Sequence, residues 1–193
     1  MNVINTIVVY GASSPSIPAV YKDAAWRLGA LLAERHIRLV NGAGKDGVMG
    51  ACSEGCLAGG GEVCGIIPRF MVDNGWCRDG LSEVVVTKDM HERKRRMAEM
   101  ADAAVALPGG CGTLEELSEL ITWKQLGLYD KPLVILNTNG FYNDLLRFFH
   151  KAVDEHFMRE EHSGIWKIAE TPEEAVDLAE TVRSWDTSIQ KFK

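Results

Sequence analysis

Short apolar runs and longer amphipathic stretches take turns along this chain. Val3 to Tyr10, Ile37 to Val40, Glu62 to Ile67, Glu83 to Thr87, Ala103 to Leu107, Leu133 to Leu136 and Ile165 to Ile168 have strand length. The first of them is almost unbroken in its apolar character, as strands covered on both faces of a parallel sheet are. Between the runs, apolar residues recur at helical spacing: Val20, Ala24, Leu28 and Leu31 within Ala19 to Glu34, then Leu114, Leu117, Leu120 and Ile121 further on. A small-residue helix is expected over Val48 to Ala58, a charged one over Asp89 to Met100, and another over Phe141 to Glu155 with Leu145, Phe148, Phe149 and Val153 inward. Thr171-Pro172-Glu173-Glu174 opens a last helix with a cap, a first-turn proline and two acids at the positive end of the dipole. Pro68 to Gly80 reads as a loop. The alternation predicts an α/β fold: a single domain over residues 1–193, built on a doubly wound parallel sheet of about six to seven strands with helices on both faces. Ligands of such sheets bind outside the carboxyl ends of the strands, and the loops carrying Ser13, Gly44 and Gly110 all fall on that edge.

Composition narrows the choice of partner. At 193 residues, 46% hydrophobic and 25% charged, the chain suits one well-buried domain. A formal charge of −6 supplies no basic field to gather a nucleic acid polymer or an anionic membrane surface, so an anion must be met locally. No stretch approaches the roughly 20 apolar residues that span a bilayer and the start has no basic leader, which leads us to expect a soluble, cytoplasmic protein. Five cysteines with no CxxC pair favour reduced thiols over a disulfide framework or zinc ribbon. Cys52 and Cys56 share a helix face, but two thiols without further ligands pack as small apolar residues, and the five histidines show no ligand spacing. No metal site is expected.

Two stretches carry chemistry. In the first, the run Ala103 to Leu107 leads through Pro108, Gly109, Gly110, Cys111 and Gly112 into a helix. Glycines there let the backbone approach a ligand, and free N–H groups at a helix start make an anion site. The competing reading of Thr113-Leu114-Glu115-Glu116 is a capping box, with Thr113 as the cap and Glu116 reaching back to it. The second stretch is Met90-His91-Glu92-Arg93-Lys94-Arg95-Arg96-Met97. Arg95 and Arg96 read as a solvated face, whereas Arg93 and Lys94 fall in the first turn, on the rim that bears the glycine turn, where they oppose the helix dipole. Gly42-Ala43-Gly44-Lys45-Asp46-Gly47 matches G-x-G-x-x-G, with Glu62 twenty residues on. Glu62, however, stands at the start of its strand, on the wrong edge to reach a ribose, and no Walker lysine or GxSxG follows any glycine loop.

Met90-His91-Glu92-Arg93-Lys94 together with Pro108-Gly109-Gly110-Cys111-Gly112-Thr113-Leu114-Glu115-Glu116 resembles the paired M-x-x-R-K and P-G-G-x-G-T-x-x-E motifs of the LOG family, the cytokinin riboside 5′-monophosphate phosphoribohydrolases. The likeness runs through Gly11-Ala12-Ser13-Ser14, Gly47-Val48-Met49-Gly50, Ile121 to Gly127 and Asp130-Lys131-Pro132. Members have often carried the label lysine decarboxylase, although nothing in this sequence suggests a pyridoxal phosphate site. The resemblance implies a Rossmann-like homodimer that hydrolyses the N-glycosidic bond of a nucleoside 5′-monophosphate, with an adenine or N6-substituted adenine base, to free base and ribose 5-phosphate without a cofactor. It implies Arg93 and Glu116 as the catalytic pair, with Glu115 as second choice for the acid. The implied substrate contacts are Ser13, Gly44, Met90, Lys94, Pro108, Gly109, Gly110, Cys111, Gly112, Thr113, Leu114, Glu115 and Thr122. The chain departs from the pattern twice: Gly75 stands where the family commonly has an acidic residue, leaving Asp73 and Trp76 as candidates for the base contact, and Lys45 stands where relatives tend to have a small residue. The helices carrying Trp123 and Phe148 are candidates for the dimer contact. The competing class is a non-catalytic nucleotide-binding or carrier protein on the same fold.

Overall fold

The computed structural model describes residues 3–189. Seven parallel strands form one sheet: β1 (Thr6–Tyr10), β2 (Arg38–Asn41), β3 (Val63–Pro68), β4 (Glu83–Thr87), β5 (Ala103–Ala106), β6 (Leu133–Leu136) and β7 (Lys167–Ala169). Their spatial order, β4-β3-β2-β1-β5-β6-β7, places β1 at the centre. The chain winds outward from β1 to one edge, then returns to β5 on the other side of β1 and winds to the opposite edge. The switch point, where a crevice must open, therefore lies between the carboxyl ends of β1 and β5.

Alternation along the strands sorts the core into two layers. Ile7 and Val9 of β1 point to the face covered by α1 (Ala19–Glu34), α2 (Gly47–Ala58) and α7 (Pro172–Thr181). Val8 and Tyr10 point to the face covered by α4 (Met90–Met100), α5 (Cys111–Gln125) and α6 (Asn143–Asp154). The small residues of α2 are explained by its approach to α1, since a Cβ on Gly29 would lie 1.9 Å from the carbonyl oxygen of Cys52, and one on Gly55 would lie 2.0 Å from that of Trp26. Cys52 and Cys56 are buried in that contact, and burial pushes both thiols up, Cys56 to about 11.

Several boundaries and one helix phase differ from the expectation. The segment after β3 is not all loop: Arg69–Asp73 forms a short helix, α3. The first strand starts at Thr6, with Val3 exposed before it, and the last is Lys167–Ala169, with Ile165 and Trp166 buried ahead of it. In α6 the inward stripe is Tyr142, Leu146 and Phe149, spaced i, i+4, i+7, so Phe148 turns outward and is 62% exposed, while Leu145 and Val153 are only partly buried. Thr113 is not a helix cap. The helix begins three residues earlier than a Thr113 cap would start it, with Gly110 in the cap position, which puts Thr113 inside the first turn and Glu116 in the second.

Candidate active site

A cavity of about 560 Å³ opens at the carboxyl ends of β1, β2, β3 and β5, a volume in the range of small-molecule sites. Its walls come from the loop after β1 (Gly11, Ala12, Ser13), the loop after β2 (Gly42, Gly44, Lys45, Asp46), Met49 of α2, Ile67 of β3 and the segment after it (Met71, Trp76), Met90 and Arg93 of α4, and the start of α5 (Gly110, Gly112, Thr113, Glu115, Glu116).

At the α5 end, Gly110 caps the helix without any side-chain hydrogen bond and no acid stands in the first turn, so no cap side chain takes up the first N–H groups, and Gly110, Gly112 and Thr113 line the cavity there. The glycines have separate reasons. A Cβ on Gly109 would sit 2.1 Å from Thr113 Oγ1, so Gly109 lets the buried threonine pack beneath the turn, while a Cβ on Gly110 or Gly112 would meet open space. Behind the turn, Tyr142 donates its hydroxyl hydrogen bond to the Leu107 carbonyl at 2.7 Å and fixes the end of β5.

Arg93 is 6% exposed and held on three sides. Its Nε donates to the Ile66 carbonyl at 2.9 Å, its Nη2 donates to the Gly42 carbonyl at 3.4 Å, and its Nη1 stands 3.5 Å from Glu116 Oε1. A Cβ on Gly42 would lie 1.8 Å from Nη2, so only glycine leaves room for the guanidinium. α4 starts cleanly despite its basic run because Asp89 caps it, accepting from the Glu92 N–H at 2.8 Å, and Glu92 accepts from the Lys88 N–H at 3.0 Å. Burial pushes the Glu116 carboxyl up to about 7, with Arg93 pulling in the opposite direction and Glu115 adding to the rise. An acid poised near neutrality beside an arginine, in a cleft, is suited to proton transfer.

The structure separates the expected contacts into two groups. Ser13, Gly44, Met90, Arg93, Gly110, Gly112, Thr113, Glu115 and Glu116 line the cavity. Pro108, Gly109, Cys111, Leu114 and Thr122 do not; Pro108 and Gly109 are buried beneath the turn, and Cys111 and Thr122 are exposed. Lys94 is also outside the lining, and its ammonium is paired with Glu115 and, at 3.1 Å, with Glu119, tying α4 to α5. Burial alone would pull that ammonium down, but the hydrogen bonds to the two glutamates outweigh it and the net shift is upward. Lys45 donates to the Gly75 carbonyl at 3.0 Å. Gly42, Met49, Ile67 and Met71 line the cavity without being among the expected substrate contacts. For Gly42 the signal was present in its glycine loop, but it marks room for an arginine side chain. Among the described residues no group of three or more His, Cys, Asp or Glu side chains could hold a metal ion.

A family model described as "Possible lysine decarboxylase" matches residues 49–179. The probable cytokinin riboside 5′-monophosphate phosphoribohydrolase LOGL2 of Oryza sativa subsp. japonica is 44% identical over 174 residues, covering 90% of this chain and 71% of the relative. The cytokinin riboside 5′-monophosphate phosphoribohydrolase LOG1 of Arabidopsis thaliana is 48% identical over 152 residues, covering 79% and 71%. Among solved structures, the molybdenum cofactor binding protein of Rippkaea orientalis superposes with a TM-score of 0.70 over 90% of this chain and 93% of that one, and at 22% identity that likeness concerns the fold alone.

Proposed function

The chain belongs to the LOG family, and from that premise we propose that it hydrolyses the N-glycosidic bond of adenine or N6-substituted adenine nucleoside 5′-monophosphates, giving free base and ribose 5-phosphate. The observation that carries this reading is the Arg93 to Glu116 approach, 3.5 Å apart in the cavity wall beside an uncapped helix start. The 5′-phosphate takes the free N–H groups at Gly110 and Gly112, where the helix dipole favours an anion. That anchors the ribose so that C1′ faces Glu116. As the bond from C1′ to the base nitrogen breaks, its electron pair leaves with the base and positive charge develops on the ring. The Glu116 carboxylate stabilises that charge and takes a proton from the water whose oxygen bonds to C1′, as one acid does in glycoside hydrolysis, and the departing base takes up a proton from solvent, so that none is gained or lost overall. Arg93 offsets negative charge on the substrate and keeps Glu116 ionisable near neutral pH. Displacement of a base by water calls for no redox or electron-sink group.

The description of the family model as a decarboxylase would call for a neutral, imine-forming lysine. Lys94 is held in the opposite state, protonated between two glutamates.

Incubating the purified protein with AMP is expected to release adenine and ribose 5-phosphate in equal amounts, measured by chromatography. AMP that binds and is recovered intact would support the carrier reading instead.

The proposal includes a homodimer in the cytoplasm. Phe148 on α6 and Leu126 and Leu128 just after α5 are exposed, Leu128 at 71%, which supports apolar contact from the two elements singled out in the sequence. Five free thiols support a reducing compartment. Sedimentation equilibrium is expected to give twice the chain mass of 21.3 kDa; a monomer across the micromolar range would remove the dimer from the proposal.

A further inference from the structure

The cavity changes character along its length. The phosphate-binding turn follows β5, whereas Ile67 stands at the end of β3 and Met71 and Trp76 follow it, three strand positions away and so roughly 14 Å across the sheet. Arg93 lies between, bonded to the ends of β2 and β3. From one end to the other the lining passes from glycines, threonine and carboxylates to Ile67, Met71, Met90 and an indole, with Lys45 beside the indole's segment. A nucleotide whose phosphate sits at the turn and whose C1′ sits by Glu116 has its base at the apolar end.

Trp76 is 52% exposed, yet its segment is fixed. Its own N–H donates to the Met71 carbonyl at 3.1 Å, Lys45 Nζ donates to the Gly75 carbonyl at 3.0 Å, and the Arg78 N–H donates to the Ala43 carbonyl at 2.8 Å. Gly44 and Cys77 add an antiparallel bridge between the same two loops. Phe70 meets the indole edge to face, with centroids 6.4 Å apart at 80°. The ring is thus backed by one aromatic and carried on backbone pinned on both sides of it while it borders the cavity, an arrangement that provides an aromatic surface at little cost in ordering the segment. Asp73, on the same segment, is exposed and does not line the cavity.

We propose that Trp76 is a specificity-determining residue of this site, the wall on which the purine base stacks, with Phe70 as its support. The proposal rests on the nucleotide reading of the cavity but not on hydrolysis. Stacking on one face reads the area of an aromatic base and not its hydrogen-bonding edge, so substituents on that edge are tolerated.

The test is calorimetric binding of AMP and of ribose 5-phosphate, which lacks the base, to Trp76→Ala and Trp76→Phe proteins in a Glu116→Gln background that limits turnover. Trp76→Ala is expected to weaken AMP about 10-fold or more and leave ribose 5-phosphate unchanged, and Trp76→Phe is expected to recover most of the loss. Thermal unfolding of both variants checks that the segment's folding is intact. Unchanged AMP affinity in Trp76→Ala, or an equal loss for both ligands, overturns the stacking role. A parent protein that binds neither ligand overturns it together with the nucleotide reading, whereas AMP that binds but is never hydrolysed removes only the hydrolase and leaves this test standing.

Discussion

Glu116→Gln is expected to lower adenine release from AMP by about 100-fold or more while AMP still binds, and to make the protein more resistant to heat at pH 8 than its parent. Both effects follow from one carboxyl. Glutamine keeps the size of the side chain but can neither take a proton from water nor offset the positive ribose ring. Stability moves the other way because Glu116 is 7% exposed and burial has pushed it from 4.5 up to about 7. Between those values the folded protein holds a proton that the unfolded chain has released, so stability falls as pH rises through that window. The contribution of the neutral carboxyl is fully present below about 4.5 and is lost once pH passes 7. A difference of this size corresponds to something on the order of 3 kcal/mol, or roughly 6–12 °C for a chain of this length. Glutamine is neutral at every pH, so the gap in Tm between variant and parent should open between pH 5 and pH 8. Over the same range kcat/KM of the parent should rise and level off above about pH 7, because the ionised form does the work. A fully active Glu116→Gln protein, or a Tm gap that ignores pH, would remove Glu116 from the mechanism.

The parallel sheet was legible because its strands are buried on both faces and leave apolar runs with nothing polar to blur them, as in Leu133 to Leu136. Even β4, whose Val84 and Val86 are exposed at the sheet edge, shows through its β-branched run. The rim position of the Arg93 and Gly110 stretches followed from the same alternation, since each comes just after a strand. Legibility ended where the deciding contact is distant in sequence. Arg93 is held by carbonyls 27 and 51 residues away, and no periodicity announces them. The cap at Gly110 was masked by a good capping-box pattern at Thr113; the helix starts earlier because Gly109 lets Thr113 pack inward, leaving Glu116 free to face the cavity. In α6 Phe148 and Leu146 both fit an amphipathic wheel, and the choice between them is made by Tyr142, whose hydroxyl is tied to Leu107 and sets the helix's rotation. Met71 lies in a short helix where turn-forming residues suggested only loop, and Trp76, named in the sequence as a candidate for the base contact, is placed by the pins between its segment and the loop after β2.

Arg93→Ala is expected to remove activity and weaken AMP binding together, and to destabilise the fold by about 3 kcal/mol at pH 8, where its partner is ionised. The loss has three parts. The Ile66 and Gly42 carbonyls give up a buried donor, Glu116 gives up its counter-charge, and the substrate gives up a cation at the cavity wall. Arg93→Lys separates shape from charge. A lysine ammonium restores positive charge but lacks the planar fork that reaches β3, β2 and Glu116 at once, so activity should return only in part. The most direct reading comes from pH. Arg93 pulls the Glu116 carboxyl down against its burial, so without the guanidinium the carboxyl must rise further. The midpoint of whatever activity remains in Arg93→Ala should therefore move to higher pH than in the parent, and in Arg93→Lys it should move less. If the midpoint stays where it was while activity falls, the two side chains do not share a field, and Arg93 acts on the substrate alone.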